Sequence, residues 1–189
     1  KTTATSQVVT IAEVTRQQVE RALSLTGSIQ AGQEAPVSAK IAGRVKQVVV
    51  DNGATVTAGQ ALILLEDTDY QNAVATARAT VKRATAALES ARRNYERLKT
   101  LYENAAVARK DMEDAETALN LAEADYEAAM AALANAEESL RNTVITAPFS
   151  GVVANRNVNP GQIVSPAIPL LTVLDINTVY LTVNVEQEQ

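Results

Sequence analysis

One sequence pattern occurs twice in the chain, on either side of a long segment that contains no glycine or proline. Residues 37–67 align without a gap with residues 145–175, and each copy reads as strand, glycine, strand, turn glycine and apolar run. The equivalent residues are Ala39 and Ala147, Gly43 and Gly151, Val45 and Val153, Val50 and Val158, Gly53 and Gly161, Val56 and Val164, Leu62 and Leu170, and Asp67 and Asp175. Because a β unit of about 30 residues cannot enclose a core alone, we expect the two copies to interlock as one β-sandwich.

Apolar residues in the intervening segment follow a heptad pattern, with alternating steps of three and four. The first series is Val74, Ala77, Val81, Ala84, Leu88, Ala91, Tyr95, Leu98 and Tyr102; the second is Met112, Ala115, Leu119, Ala122, Tyr126, Ala129, Leu133, Ala136 and Leu140. This spacing predicts two helices whose apolar seams pack together as in a coiled coil. The connection at 104–108 is short, so residues 68–142 should form an antiparallel helical hairpin.

Charges beside these seams indicate that each helix packs on the other helix of its own chain. The position after the second core residue of each heptad holds Arg78, Thr85, Arg92 and Lys99 in the first helix, and Glu116, Glu123, Met130 and Glu137 in the second. These positions face one another in an antiparallel pair, so basic residues should meet acidic residues along this flank. Each exposed pair contributes only some tenths of a kcal/mol, so the pattern selects register and partner more than it stabilises.

Composition disfavours whole classes of function. The 189 residues include no His and no Cys, which removes most nucleophilic and zinc chemistry. A formal net charge of −5, with no basic patch between aromatics, argues against nucleic acid as a partner. No apolar run approaches the roughly 18 residues of a membrane span. We therefore predict a chain that is not an enzyme and has no cofactor, metal or nucleic-acid site.

Strand-length apolar runs occur in both copies of the repeat, at 44–50 and 60–65 in the first and at 152–158 and 169–174 in the second. Gly53 and Gly161 each end a turn sequence, where glycine takes a positive φ without steric cost. We interpret these glycines as shaping the chain and carrying no chemistry.

The two copies resemble the lipoyl-type halves of periplasmic adaptor proteins, also called membrane fusion proteins, of the HlyD, AcrA and MacA type. The resemblance is carried by residues 37–45, 52–60, 146–153 and 159–162, and by the helical segment between the halves. It implies a non-catalytic periplasmic subunit of a tripartite efflux or export system, including multidrug export. Such a subunit links an inner-membrane RND or ABC transporter to a TolC-like outer-membrane channel.

The family also implies a homo-oligomer, a hexamer in the assembly, anchored to the inner membrane by an N-terminal segment. The pump class and substrate stay open.

The family's channel-docking motif is partly present at the predicted hairpin tip. In the resembled family, adaptors that bind TolC-like channels have an Arg, a Leu four residues later and a Ser seven residues after the Leu. This chain has Arg97, Leu101 and Ala108 at those positions. Arg97 and Leu101 would share one helix face. Alanine lacks the hydroxyl that caps a helix, which costs about 1 kcal/mol. The alternative is that Arg97 is only solvated and Leu101 only flanks the helix core.

Other functions stay open from the sequence. The missing Ser is compatible with a Gram-positive type of adaptor that serves an ABC transporter without an outer channel. A biotinyl or lipoyl carrier domain is an alternative of another class, but carriers place the modified lysine at the turn between their halves, and this chain has Glu66, Asp67 and Thr68 there. A coiled-coil spacer would not need the duplicated β halves.

Together these features predict a multidomain, elongated α+β chain: a lipoyl-like β-sandwich split by an antiparallel coiled-coil hairpin, with partial β-barrel segments. The expected domains are N-terminal membrane-proximal or barrel strands at 1–36, lipoyl-like halves at 37–67 and 143–176, the hairpin at 68–142, and the start of a returning barrel strand at 177–189. Strand alternation at 6–14, 22–29 and 177–185 supports the flanking strands. An alternating strand with little left to pair with is a poor place to end a domain, so we expect a longer protein.

Overall fold

The computed structural model describes residues 26–183, together with Glu13 and Arg16. Eight strands and two helices follow one another along this part of the chain: β1 (Gly27–Ser38), β2 (Gly43–Val48), β3 (Thr55–Val56), β4 (Ala61–Leu65), α1 (Thr68–Glu103), α2 (Arg109–Arg141), β5 (Val144–Thr146), β6 (Gly151–Ala154), β7 (Ile163–Val164) and β8 (Pro169–Val183). The chain divides into two compact units, residues 30–180 and residues 1–29 with 181–189. Apart from Glu13, the predicted strand at 6–14 lies outside the described residues.

Two four-stranded sheets make up the β part of the fold, with strand orders β1-β8-β6-β3 and β5-β4-β2-β7. Each sheet contains strands from both copies of the repeat. Gly43 of β2 lies opposite Val164 of β7, and the equivalent Gly151 of β6 lies opposite Val56 of β3. The two copies therefore exchange their short strands, as expected for units that cannot enclose a core separately.

Aliphatic residues at equivalent positions of the two copies form the core. Val45, Val153 and Val158 are each about 1% exposed, and Leu62 and Ile63 are fully buried. The further core residues are Val37, Ala39, Val50, Val56, Leu65, Ile145, Ala147, Val164, Leu170, Leu171 and Val173. Every apolar pair used to align the two copies is buried, so one pattern of inward-facing residues serves both halves.

Several strands differ from their predicted bounds. The strand predicted at 152–158 ends at Ala154, because Asn155 has a φ of 52° and cannot continue an extended strand. β8 continues without a break from Pro169 to Val183, across the expected boundary between residues 176 and 177. The short strands β3, β5 and β7, of two or three residues each, were not predicted.

The two helices pack against each other and run in opposite directions. Arg78, near the start of α1, forms an ion pair with Glu137, near the end of α2, at 2.9 Å. Three residues of the predicted seams, Val74, Ala115 and Ala129, are buried, and Tyr102 near the end of α1 is exposed. The other seam residues are half-buried. No helix among the described residues has the length and apolar character that crossing a membrane requires.

Hydrogen bonds join the base of the helical pair to the sheets within residues 30–180. The hydroxyl of Tyr70 in α1 donates to the carbonyl oxygen of Ala42 at 2.7 Å. The amide of Leu65 donates to the carbonyl oxygen of Thr143 at 2.8 Å, and the Thr143 hydroxyl donates to that of Leu140 at 2.7 Å. Thr143 is buried. Both ends of the helical insert are therefore fixed where they leave the β-structure.

Candidate docking site at the helical tip

A tight connection reverses the chain between α1 and α2. Ala105 has a φ of 56°, the left-handed conformation that often ends a helix. The amides of Ala105 and Ala106 donate to the carbonyl oxygens of Tyr102 and Leu101, each at 2.8 Å, and the Asn104 side chain donates to the carbonyl oxygen of Thr100 at 2.8 Å. These bonds satisfy three of the last four carbonyl groups of α1 and hold the connection in one compact turn.

The first turn of α2 begins two ion pairs that are exposed to solvent. Arg109 pairs with Glu113 at 2.6 Å and Lys110 with Asp114 at 2.7 Å. The hydrogen bond and the charge of the paired carboxylate raise the pKa of Arg109 and of Lys110. Ala108 precedes this turn with an extended backbone and provides no side-chain cap, as its methyl group requires. The tip thus presents fixed charges of both signs.

The docking residues predicted from the sequence lie near this turn. Arg97 and Leu101 are one helical turn apart on α1, and both are exposed. Arg97 donates to the Oδ1 of Asn94 at 2.6 Å, and Leu101 is 38% exposed. Tyr102 is the next residue and is 39% exposed. Ala108 is exposed on the other side of the turn. An apolar patch with a guanidinium beside it could enter a groove on a partner protein.

The predicted flank of charge pairs forms at one position only. Arg78 meets Glu137 across the helices. Arg92 instead pairs with Glu96 of its own helix at 3.3 Å. The structure gives no ion pair within 4.0 Å for Lys99, Glu116 or Glu123, all of which it describes. Among the described residues, this flank therefore has one ion pair between the helices, because a side chain four residues away on the same helix competes for an exposed arginine.

Sequence reasoning missed a cleft of about 710 Å³ in the β-structure. Its lining includes Pro36, Val37 and Ser38 at the end of β1, and the equivalent residues of the second copy, Val144, Ile145 and Thr146 of β5. The two sets are equivalent residues of the two copies, so the aligned repeat was a usable signal for this cleft. Among the described residues, no group of three or more His, Cys, Asp or Glu side chains could hold a metal ion.

A β-structure built from two equivalent halves, with a helical pair inserted between β4 and β5, defines the barrel-sandwich hybrid class of domain. Residues 33–175 match the family model described as the CzcB-like, barrel-sandwich hybrid domain. That match covers most of the chain. The chain therefore belongs to the CzcB-like barrel-sandwich hybrid family.

Relatives in this family carry names that fit this assignment. The chain is 30% identical over 182 residues to the membrane fusion protein MtrC of Neisseria gonorrhoeae, covering 95% of this chain and 44% of MtrC. It is 31% identical over 144 residues to the nickel-cobalt-cadmium resistance protein NccB of Alcaligenes xylosoxydans xylosoxydans, covering 75% of this chain and 35% of NccB. The chain thus spans under half the length of these relatives.

A solved structure shows the same architecture. A MacA–MexA chimera that contains the Pseudomonas aeruginosa MexA α-hairpin domain superposes with a TM-score of 0.56 at 26% identity, covering 86% of this chain and 53% of the chimera. The family confirms the resemblance to membrane fusion proteins, the α+β class and the prediction that the chain is not an enzyme.

Proposed function

We propose that the chain is the central part of a periplasmic adaptor whose lipoyl-like β-sandwich is split by an antiparallel coiled-coil hairpin. In this proposal the halves are residues 37–67 and 143–176, the hairpin is 68–142, and segments 1–36 and 177–189 belong to membrane-proximal or β-barrel strands. The observation that carries it is the insertion of α1 and α2 between β4 and β5, with strands of both halves in each sheet. A carrier domain would have its modified lysine at that place.

The hairpin tip is the proposed contact with a TolC-like outer-membrane channel. Arg97 and Leu101 share an exposed face beside the compact turn, and Ala108 lies across that turn. The Tyr70–Ala42 and Leu65–Thr143 hydrogen bonds fix the base of the hairpin, which is about 50 Å long at 1.5 Å per residue. A rigid arm loses less conformational freedom on binding than an unpaired chain would, so more of the contact energy appears as affinity.

The other end of the adaptor is proposed to bind an inner-membrane RND or ABC transporter. MtrC is named a membrane fusion protein and NccB a metal-resistance protein, and these names support a role in efflux. We place the protein in the periplasm, anchored to the inner membrane by an N-terminal segment, as a hexamer in the assembly. Six tips in one ring would add avidity even if each contact is weak.

A double substitution at the tip, Arg97→Glu with Leu101→Ser, tests the channel contact. We expect this double variant to abolish efflux when it replaces the unsubstituted gene in its host. The substitutions reverse the charge at position 97 and remove the exposed apolar side chain at position 101. The readouts are accumulation of a fluorescent efflux substrate and the amount of adaptor in the cell envelope. Both residues are exposed, so the amount of protein should not change.

Lys82→Glu with Met130→Ser is the matched control. It reverses one lysine on α1 and removes an apolar side chain that is 42% exposed, but it lies far from the tip. We expect normal efflux from this variant. Normal efflux from the tip variant at normal protein level would remove the tip assignment, and it would favour an adaptor that works without an outer channel.

A further inference from the structure

The cleft of about 710 Å³ in the β-structure lies between two edge strands. β1 and β5 each stand at the end of the strand order of their sheet in the described part of the chain. Val37 of β1 and Ile145 of β5 line the cleft and are 8% and 6% exposed, so part of its wall belongs to the packed core. Val144 also lines it and is 41% exposed. A cleft of this size is typical of sites for small organic molecules.

The charged side chains that line this cleft are all positive. They are Lys40, which follows β1, and Arg141, which precedes β5; no Asp or Glu among the described residues lines the cleft. Arg141 forms an ion pair with Glu138 at 2.5 Å. Lys40 has no ion pair within 4.0 Å in the part of the chain that the structure describes. The rim of the cleft therefore carries one uncompensated positive charge.

Both cations lie at the same end of the cleft. The hydrogen bond and charge of Arg141 lower the pKa of Glu138, and the charge of Lys40 contributes to the same shift. Lys40 is therefore close to the Arg141–Glu138 pair, at the base of the helical pair. From this end β1 runs back to Pro36, and the chain through β5 runs on to Pro148, so these prolines lie toward the other end. The cleft thus has a cationic end and an apolar end.

The two prolines argue against an added peptide strand as the occupant. A strand that joins a sheet edge bonds to successive amide and carbonyl groups of that edge. Pro36 has no amide hydrogen, and Pro148 lies two residues after the end of β5, so each edge offers only a short row of donors. Both sides of the cleft instead provide apolar surface, from Ala35, Pro36, Val144 and Pro148. This surface favours an apolar chain over a peptide backbone.

We propose that the cleft binds an amphiphilic organic anion, with its apolar chain along Pro36, Val144 and Pro148 and its anionic group at Lys40. The charge of the cleft selects an anion, because the uncompensated group at its rim is an ammonium. Arg141 uses its Nε and one terminal nitrogen for Glu138, and its remaining N–H groups can also donate to the ligand. This site goes beyond the proposed docking of the hairpin tip and does not depend on it.

Titration of the 189-residue chain with dansyl-aminoundecanoate, a fluorescent fatty acid, tests the site. We expect saturable binding of one probe per chain. Dodecanoate should displace the probe, whereas dodecyltrimethylammonium, with the same apolar chain and the opposite charge, should not. Lys40→Gln should weaken dodecanoate binding about fivefold, as expected for the loss of one exposed ion pair. Lys46→Gln is the matched control, because Lys46 is exposed on β2 and does not line the cleft; its Kd should be unchanged.

Val144→Glu tests the apolar wall. It places a carboxylate in the cleft and should abolish binding of the probe. Because Val144 is 41% exposed, thermal unfolding of this variant should stay close to that of the unsubstituted chain. Val49→Glu is its matched control, since Val49 is 47% exposed and lies outside the cleft; it should bind the probe normally.

Four results would each overturn the proposed site: no saturable binding, equal displacement by the cationic detergent, an unchanged Kd in Lys40→Gln, or normal probe binding by Val144→Glu. The last of these would place the probe elsewhere on the chain. None of them bears on the hairpin tip, which the efflux assay tests separately.

Discussion

The carbonyl oxygen of Val45 accepts a hydrogen bond from the amide of Gly161 at 2.8 Å. The equivalent residues of the other copy repeat it, since Val153 accepts from Gly53 at the same distance. The two glycines have φ values of 84° and 83°. The repeat is therefore preserved down to single hydrogen bonds, each of which joins a turn of one copy to a strand of the other.

Replacing either turn glycine with alanine should cost stability through the backbone alone. A Cβ atom at Gly53 or Gly161 meets nothing within 4 Å, so no clash contributes. The positive φ costs an alanine roughly 1–2 kcal/mol. Asparagine tolerates this conformation better, so Gly161→Asn should lose less than Gly161→Ala in urea unfolding. Equal losses for the two variants would show that φ is not the cause.

The equivalent glycines Gly43 and Gly151 should respond differently to the same substitution. A Cβ atom at Gly151 would lie 2.3 Å from the carbonyl oxygen of Leu174, and β6 and β8 would have to separate. At Gly43 the nearest atom is the Leu65 Cδ1 at 3.3 Å, which needs to move by only a few tenths of an ångström. We expect Gly151→Ala to lose at least the 1–3 kcal/mol typical of overpacking, and Gly43→Ala clearly less. Thermal unfolding measures both, and a Gly43 variant as unstable as the Gly151 variant would contradict the prediction.

Truncating Leu62 or Leu170 to alanine should destabilise the chain by similar amounts. Both side chains are at most 2% exposed and hold equivalent places in the core. Leu→Ala in a packed core costs about 2–5 kcal/mol. The exposed Leu121 provides the control, because Leu121→Ala should barely change the unfolding free energy of the monomer. A large difference between Leu62→Ala and Leu170→Ala would mean that the halves contribute unequally.

Glu138 should make stability depend on pH in the acid range. The hydrogen bond and charge of Arg141 lower the pKa of Glu138 below its ordinary value near 4.5. A lowered pKa contributes stability that is complete above that ordinary value and disappears as the pH falls through the folded-state pKa. Glu138→Gln should therefore lower the unfolding free energy near pH 7 and flatten its fall in acid.

The pH test compares unfolding curves at a series of pH values. Glu127→Gln is the control, because Glu127 is exposed on the same helix and has no ion pair among the described residues. Its pH dependence should match that of the unsubstituted chain. If Glu138→Gln leaves the acid slope unchanged, the Arg141 pair does not contribute to folding.

Much of the fold was predictable because two periodicities in the sequence are strong. Buried equivalents such as Val45 and Val153 align without a gap, and the heptad seam fixes α1 and α2 to within a few residues of 68–142. The short strands were not predictable, because two residues such as Thr55 and Val56 carry no periodic signal and pair only through tertiary contacts.

The candidate site was predictable in position more than in detail. Arg97 and Leu101 reach the tip because helical spacing places them there. The choice of Glu96 as the partner of Arg92 depends on side-chain conformations that heptad positions do not specify.

The exchange of short strands between the halves sets the order of events during synthesis. β2 cannot pair with β7 until the ribosome has made the whole helical insert, more than a hundred residues later. At 5–20 residues per second this delay is on the order of ten seconds. α1 and α2 depend on contacts closer in sequence, which form faster. We expect α1 and α2 to pair before the two sheets are complete, so that the sheets close around the base of helices that are already folded.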